Sequence, residues 1–190
     1  MEKIGMKAEI EIEVTDNKTG HLLDYRRFKM DSFVDVMAAI ISAFLLNLWS
    51  AYVSIANQAI TTMYHAAASD VAGAGDVTKG IVVGTGNTAY DHSQYLLVAL
   101  IAHGTGSGQL SYGAEIPTPR AWAVSKWTFS KYRVLNNTSG GTITVKEVGI
   151  YGYNTLDAKS FMMARDVLVT PVALPDSSSM KVTYSFELVA

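Results

Sequence analysis

From Lys7 to Val14 the chain alternates without a break. Ala8, Ile10, Ile12 and Val14 fall on one face, and Lys7, Glu9, Glu11 and Glu13 on the other. A period of two with one apolar and one charged side predicts a strand with one buried face and one wet face. Asp16-Asn17-Lys18-Thr19-Gly20 follows as a turn, with Gly20 able to supply a positive φ, and Leu22 to Phe28 completes an N-terminal hairpin over residues 1–31. The same alternation returns at the other end, where Val182, Tyr184, Phe186 and Leu188 oppose Lys181, Thr183, Ser185 and Glu187. Between these ends, Gly80–Gly84 is a short apolar strand. Trp122 to Val134 is a long strand whose phase breaks near Lys126-Trp127, as at a bulge. Thr142 to Tyr151 is a strand interrupted near Glu147, and Phe161 to Val169 is one that stops at Pro171. Asn136 to Gly141 reads as a hairpin loop. Pro117 and Pro119 mark a connection, and Pro171 and Pro175 bracket a segment outside the ladder.

A different pattern begins at Ser32-Phe33-Val34-Asp35, a helix start in which Ser32 caps and Asp35 faces the positive end of the dipole. From Val36 through Ser69 no Asp, Glu, Lys or Arg occurs. Residues 36–55 have the length of a membrane span. Ser42, Asn47, Ser50 and Ser54 interrupt them, however, and basic anchors are lacking on the C-terminal side, which argues against one. The segment is read instead as one or two helices buried in a core or a subunit interface, with Phe33, Met37, Ile41, Phe44, Leu48, Trp49 and Tyr52 as contact residues. The fold class predicted is mainly β with an α-helical segment. It comprises an antiparallel, jelly-roll-like β-sandwich over residues 80–190, the N-terminal hairpin and an apolar helical segment over 32–69, all in a single domain.

Composition sharpens this picture at one point. The chain has 190 residues, 49% of them hydrophobic and only 17% charged. So low a share of charge implies that much of the exterior is covered by copies of the same chain or by a partner. The net charge is −2 with no basic tract, which removes the basis for nucleic-acid binding. There is no cysteine, so disulfides, thiolate nucleophiles and Cys-ligated zinc are excluded. The first residues lack the apolar core of a secretion signal.

Candidate chemistry is sparse. Gly84-Thr85-Gly86-Asn87-Thr88-Ala89 has the letters of a dinucleotide fingerprint, but no βαβ pattern surrounds it and no acidic residue follows at the required distance. A tight glycine turn is the preferred reading, and no cofactor is expected. His21, His65, His92 and His103 show no metal-ligand spacing. Asp91-His92-Ser93 contains the residue types of a hydrolytic triad, which folding and not adjacency must assemble. Asp70 and Asp76, or Asp157 and Asp176, have no calcium-loop spacing. Tyr151, Tyr153, Trp122 and Trp127 are either a glycan-stacking platform or core and interface aromatics. No catalytic constellation emerges, and the protein is read as a non-enzyme. Glu147 breaks the apolar alternation of its strand and is a candidate partner for Arg165 on a neighbouring strand; the alternative is two unrelated surface charges.

Asn136-Asn137-Thr138-Ser139-Gly140-Gly141 leads into Thr142-Ile143-Thr144-Val145-Lys146-Glu147-Val148-Gly149-Ile150-Tyr151. This resembles an N-x-S-G-G turn followed by "T-V-x-E-V-G-hydrophobic-Y" in virion structural proteins of tailed bacteriophages and related viruses. The likeness continues through Met163 to Pro171, then Leu174-Pro175-Asp176 and the final strand. Ile81 to Thr88 is similar to the preceding "V-G-x-G-x-T" segment. It covers roughly residues 80–190, with a gap over 96–119, and Ser177-Ser178-Ser179 stands where a glycine is usual. The resemblance implies a virion component of tail, neck, fibre or capsid exterior; the low share of charge predicts a homo-oligomer, with other virion proteins as further partners. It carries no catalytic residues. Rival expectations are a receptor- or glycan-binding fibre module and a membrane-anchored sandwich using residues 36–55.

Overall fold

The computed structural model describes residues 5–30, 32–35, 37, 52–60 and 68–189. Among these residues are eleven strands: β1 (Gly5–Asp16), β2 (Leu22–Lys29), β3 (Tyr52–Val53), β4 (Ala59–Ile60), β5 (Ala68–Ser69), β6 (Gly80–Gly84), β7 (Ser111–Ala123), β8 (Lys126–Asn137), β9 (Ile143–Asn154), β10 (Lys159–Leu174) and β11 (Ser178–Val189). Five of them form an antiparallel sheet in the order β2-β1-β11-β8-β7. A second antiparallel sheet has the order β10-β9-β5, with β6 also paired to β9. The two sheets share one hydrophobic cluster, built from Ile10, Ile12, Val14, Val182 and Tyr184 on one side and Val82, Val148, Ile150, Phe161 and Met162 on the other. The apolar faces of β1 and β11 are those that alternation predicts, with Ile10 facing Tyr184 and Ile12 facing Val182.

Several expectations are corrected. Asn136 to Gly141 is not a hairpin loop, because β8 and β9 lie in different sheets; it is a crossover. The apparent bulge near Lys126-Trp127 is a two-residue turn at Val124 (φ 42°) and Ser125 (φ 62°), which splits the expected strand into the hairpin β7–β8. Pro117 and Pro119 lie inside β7, where an edge strand with two register shifts tolerates missing N–H donors. The stretch between Pro171 and Pro175 is in the ladder, since Val172 to Leu174 pair with Val145 to Ile143 beyond a bulge in β10.

No helical element stands among the described residues. Asp35 and Met37 have helical backbone where the helix start was read. Residues 32–34 instead run along the edge of β10, with Phe33 bridging Ala164. Within the segment expected to be helical, β3 and β4 form a small antiparallel pair and β5 joins β9. The span proposed over 36–55 therefore does not continue as helix through its last residues, and no helix among the described residues is long and apolar enough to cross a membrane. Ile41, Phe44, Leu48 and Trp49 lie outside the described residues.

The Val124–Ser125 turn yields a prediction. A left-handed backbone at two L-residues, one of them β-branched, is strained, so replacing both (Val124→Asn with Ser125→Gly) should raise unfolding stability by about 1–2 kcal/mol. Urea titration of the two proteins measures this; an unchanged or lower midpoint contradicts it.

Candidate functional site

Buried charged groups grip backbone. Glu147 in β9 and Arg165 in β10 are both fully buried, with Arg165 Nε 2.6 Å from Glu147 Oε2. Glu147 also accepts three backbone N–H groups, from Gly86 (3.1 Å), Val98 (3.2 Å) and Ala99 (2.8 Å). Arg165 donates onward to Gln94 Oε1 at 2.8 Å and to the Thr88 carbonyl at 2.9 Å. The pair thus clamps the loop 85–99, whose neck is closed by Thr85 N–H donating to Ala99 O at 2.8 Å. The out-of-phase Glu147 pairs with Arg165 as the strand pattern proposed.

Gly84 and Gly86 are explained by the same clamp. Gly84 is the last residue of β6 and Thr85 to Asp91 form no turn, so the tight-turn reading is corrected. A Cβ on Gly86 would sit 2.6 Å from Glu147 Oε1, and one on Gly84 closer still. These glycines let a carboxylate approach the backbone from inside the protein. The letters of the dinucleotide motif are spent on this approach.

A second clamp holds the start of β6 and the chain before it. Fully buried Arg133 donates to four carbonyls, those of Gly113 (2.8 Å), Ile81 (2.9 Å), Gly73 (2.9 Å) and Asp76 (2.6 Å). Its guanidinium lies 4.8 Å from the Tyr112 ring centre. Burial lowers the Arg133 pKa from its ordinary value, while Glu115 acts in the opposite sense. Tyr112 and Tyr151 tie further loops, the latter accepting Leu97 N–H at 2.7 Å. Burial pushes Tyr151 up to about 12 and Tyr112 well above the ordinary tyrosine value.

A third tie joins the two crossovers. Asn137 Nδ2 donates to Gly141 O and to Leu174 O, both at 2.8 Å, and Gly140 N–H donates to Asp176 Oδ1 at 2.9 Å. Gly140 adopts φ 81°, which its lack of a side chain permits.

The candidate triad does not assemble. Ser93 donates both N–H and Oγ–H to Asp91, whereas His92 Nδ1 faces Asp35 at 3.0 Å. The Asp35 carboxylate raises the His92 pKa. His103 accepts Tyr112 N–H through Nδ1 at 3.1 Å. Among the described residues no group of three or more His, Asp or Glu is placed to hold a metal ion.

What remains for contact is a shelf. The core face of the five-stranded sheet continues past the core as a cross-strand row, Met6–Leu188–Trp127–Trp122, flanked by Phe129 and Phe186. All six sit on the same face as Ile10, Val182 and Tyr184, yet Met6, Leu188, Trp127, Trp122 and Phe129 are 38–52% exposed. Trp122 and Trp127 pair at 5.1 Å between ring centres, and Phe129 stacks on Phe186 at 5.0 Å. Arg120 lies over the Trp127 ring at 5.3 Å. Of the four aromatics singled out in the sequence, Trp122 and Trp127 are brought together here, Tyr151 is buried, and Tyr153 packs under Lys79. Phe33 packs against the protein's own core. Exposed Met6, Phe129 and Leu188 were missed, although their parity with core residues was legible.

The chain matches no protein-family model, no curated protein and no solved structure.

Two predictions follow from the ties. Arg165→Met leaves the buried Glu147 without its cation and should destabilise the protein by about 3–5 kcal/mol in urea unfolding. Gly140 N–H and the Ser177 hydroxyl hold the Asp176 carboxyl below its ordinary value of 3.8. A depressed folded pKa means that this contribution is full above the ordinary value and lost as pH falls through the lowered one. The Gly140 amide resonance should therefore titrate with a midpoint below 3.8.

Proposed function

We propose that this protein is a non-enzymatic virion structural component that assembles with copies of itself and with other virion proteins, on a jelly-roll-like sandwich. The observation that carries the proposal is the shelf: a contiguous aromatic and aliphatic surface, continuous with the core and left exposed among the described residues. Exposed apolar surface of this kind marks a contact site. Self-association as the mode of cover is supported by the low share of charged residues along the whole chain. The virion setting is supported by the motif resemblance. Its parts serve as joints: the N-x-S-G-G turn and the Leu174-Pro175-Asp176 turn are tied by Asn137 and Asp176, and the V-G-x-G and E-V-G segments meet at the Glu147 carboxylate.

The Trp122–Trp127 pair also favours a second reading, a receptor- or glycan-binding fibre module in which the paired rings stack on a sugar face. The membrane-anchored reading is not carried forward, because Tyr52–Val53 belongs to the small pair β3–β4.

Light scattering coupled to size exclusion tests the main reading. The wild-type chain should run as a homo-oligomer, and Trp122→Ser with Trp127→Ser should shift it to monomer without changing its circular dichroism. A monodisperse wild-type monomer at high concentration contradicts self-assembly. Loss of glycan binding in the double variant, with the oligomer intact, supports the second reading.

A further inference from the structure

Lys131 differs from the other cations of the described residues in its surroundings. It is placed between two carboxylates, with Nζ 3.0 Å from Asp70 Oδ2 and 3.3 Å from Glu115 Oε1. Its side chain is 8% exposed and that of Glu115 is fully buried, while Asp70 is 49% exposed. Lys131 also donates to the Asp70 carbonyl at 3.1 Å, which fixes the ammonium beside that residue. Glu115 is held in turn by Ile81 N–H at 3.0 Å and Ala72 N–H at 3.2 Å, so its carboxylate cannot swing away. The walls are apolar: Val71, Pro117, Phe129 and Phe186 line the same depression. Lys131 belongs to β8 in the five-stranded sheet, and Asp70 directly follows β5 in the other sheet.

We propose that Lys131 and Asp70 condense into a side-chain amide that bonds one sheet covalently to the other, with Glu115 as the proton carrier. An amine on a buried stem, held within hydrogen-bonding distance of a carboxyl group, meets the proximity condition for an intramolecular acyl transfer. Glu115 takes one proton from the Lys131 ammonium, which frees the nitrogen lone pair to attack Asp70 Cγ. The N–C bond forms, and one C–O bond of Asp70 then breaks. The departing oxygen receives one proton back from Glu115 and a second from the nitrogen, and leaves as water. Ammonium plus carboxylate becomes amide plus water, so atoms and charge balance and neither oxidant nor cofactor enters. Glu115 ends as it began. The half-exposed side of Asp70 is the exit for the water. The reaction also removes two opposite charges from a poorly solvated site, where an ion pair carries a desolvation cost. It does not depend on the assembly role.

Intact mass spectrometry of the purified full chain under denaturing conditions tests this. The wild type should be lighter than its sequence mass by one water, and tryptic digestion should yield a branched peptide joining Lys131 to Asp70. Glu115→Gln should return to the full sequence mass. Lys131→Arg, which keeps the positive charge but lacks the reactive amine, should do the same, so the proposal stays testable if the Glu115 variant fails to fold. Asp70→Asn should lose one ammonia instead of one water. A wild-type chain at full sequence mass after prolonged incubation, or a dehydrated species that persists in Lys131→Arg, overturns the proposal and leaves Lys131 as an ion-pair partner only.

Discussion

The fold depends on a carboxylate and a guanidinium placed where neither has water. Glu147 and Arg165 are fully buried and 2.6 Å apart, and each must fill its remaining hydrogen-bonding capacity from protein. Glu147 does so with three backbone N–H groups, and Arg165 with Gln94 and the Thr88 carbonyl. That requirement explains why the loop 85–99 is pinned to the second sheet and why Gly84 and Gly86 carry no side chain. It also explains why strand β9 abandons its apolar phase at one position. Arg133 repeats the device with four carbonyls. Such groups act as ligands for loop backbone.

Charge and apolar surface are therefore distributed in an inverted way. Several of the few charged side chains are committed inside, as Glu147, Arg165, Arg133, Glu115 and Lys131 are. Part of the apolar face, from Met6 across to Trp122, is left outside. A hydrophobic sheet face with intact strand register, and with no opposing sheet over it among the described residues, is half of a sandwich. Assembly reads naturally as the completion of that sandwich by another chain.

Much of this was legible from sequence where one physical rule acted alone. The faces of β1 and β11 follow from alternation because one side is buried and the other is wet. Glu147 announced itself by breaking phase, which made Arg165 on a neighbouring strand a candidate partner against the alternative of two unrelated surface charges. Illegible features were those in which tertiary context overrode local preference. Val124–Ser125 turns without a turn residue, because the ladder on either side fixes a two-residue loop. Pro117 and Pro119 sit within a strand because β7 is an edge. Asn136 to Gly141 has turn chemistry, but turn chemistry does not say whether the next strand joins the same sheet. Residues 52–60 lack charge, and lack of charge predicts burial without choosing helix or strand. The shelf escaped notice because alternation assigns a face and not what covers it.

The central claim is that the buried charges are structural clamps integral to the folded state. Residue-resolved hydrogen exchange at the Gly86, Val98 and Ala99 amides tests it most directly, since all three are bound by the Glu147 carboxylate. The account predicts that they exchange together and only at the rate of global unfolding, like the amides of the β9 core. Exchange at the rate of an exposed loop, while β9 stays protected, would contradict it.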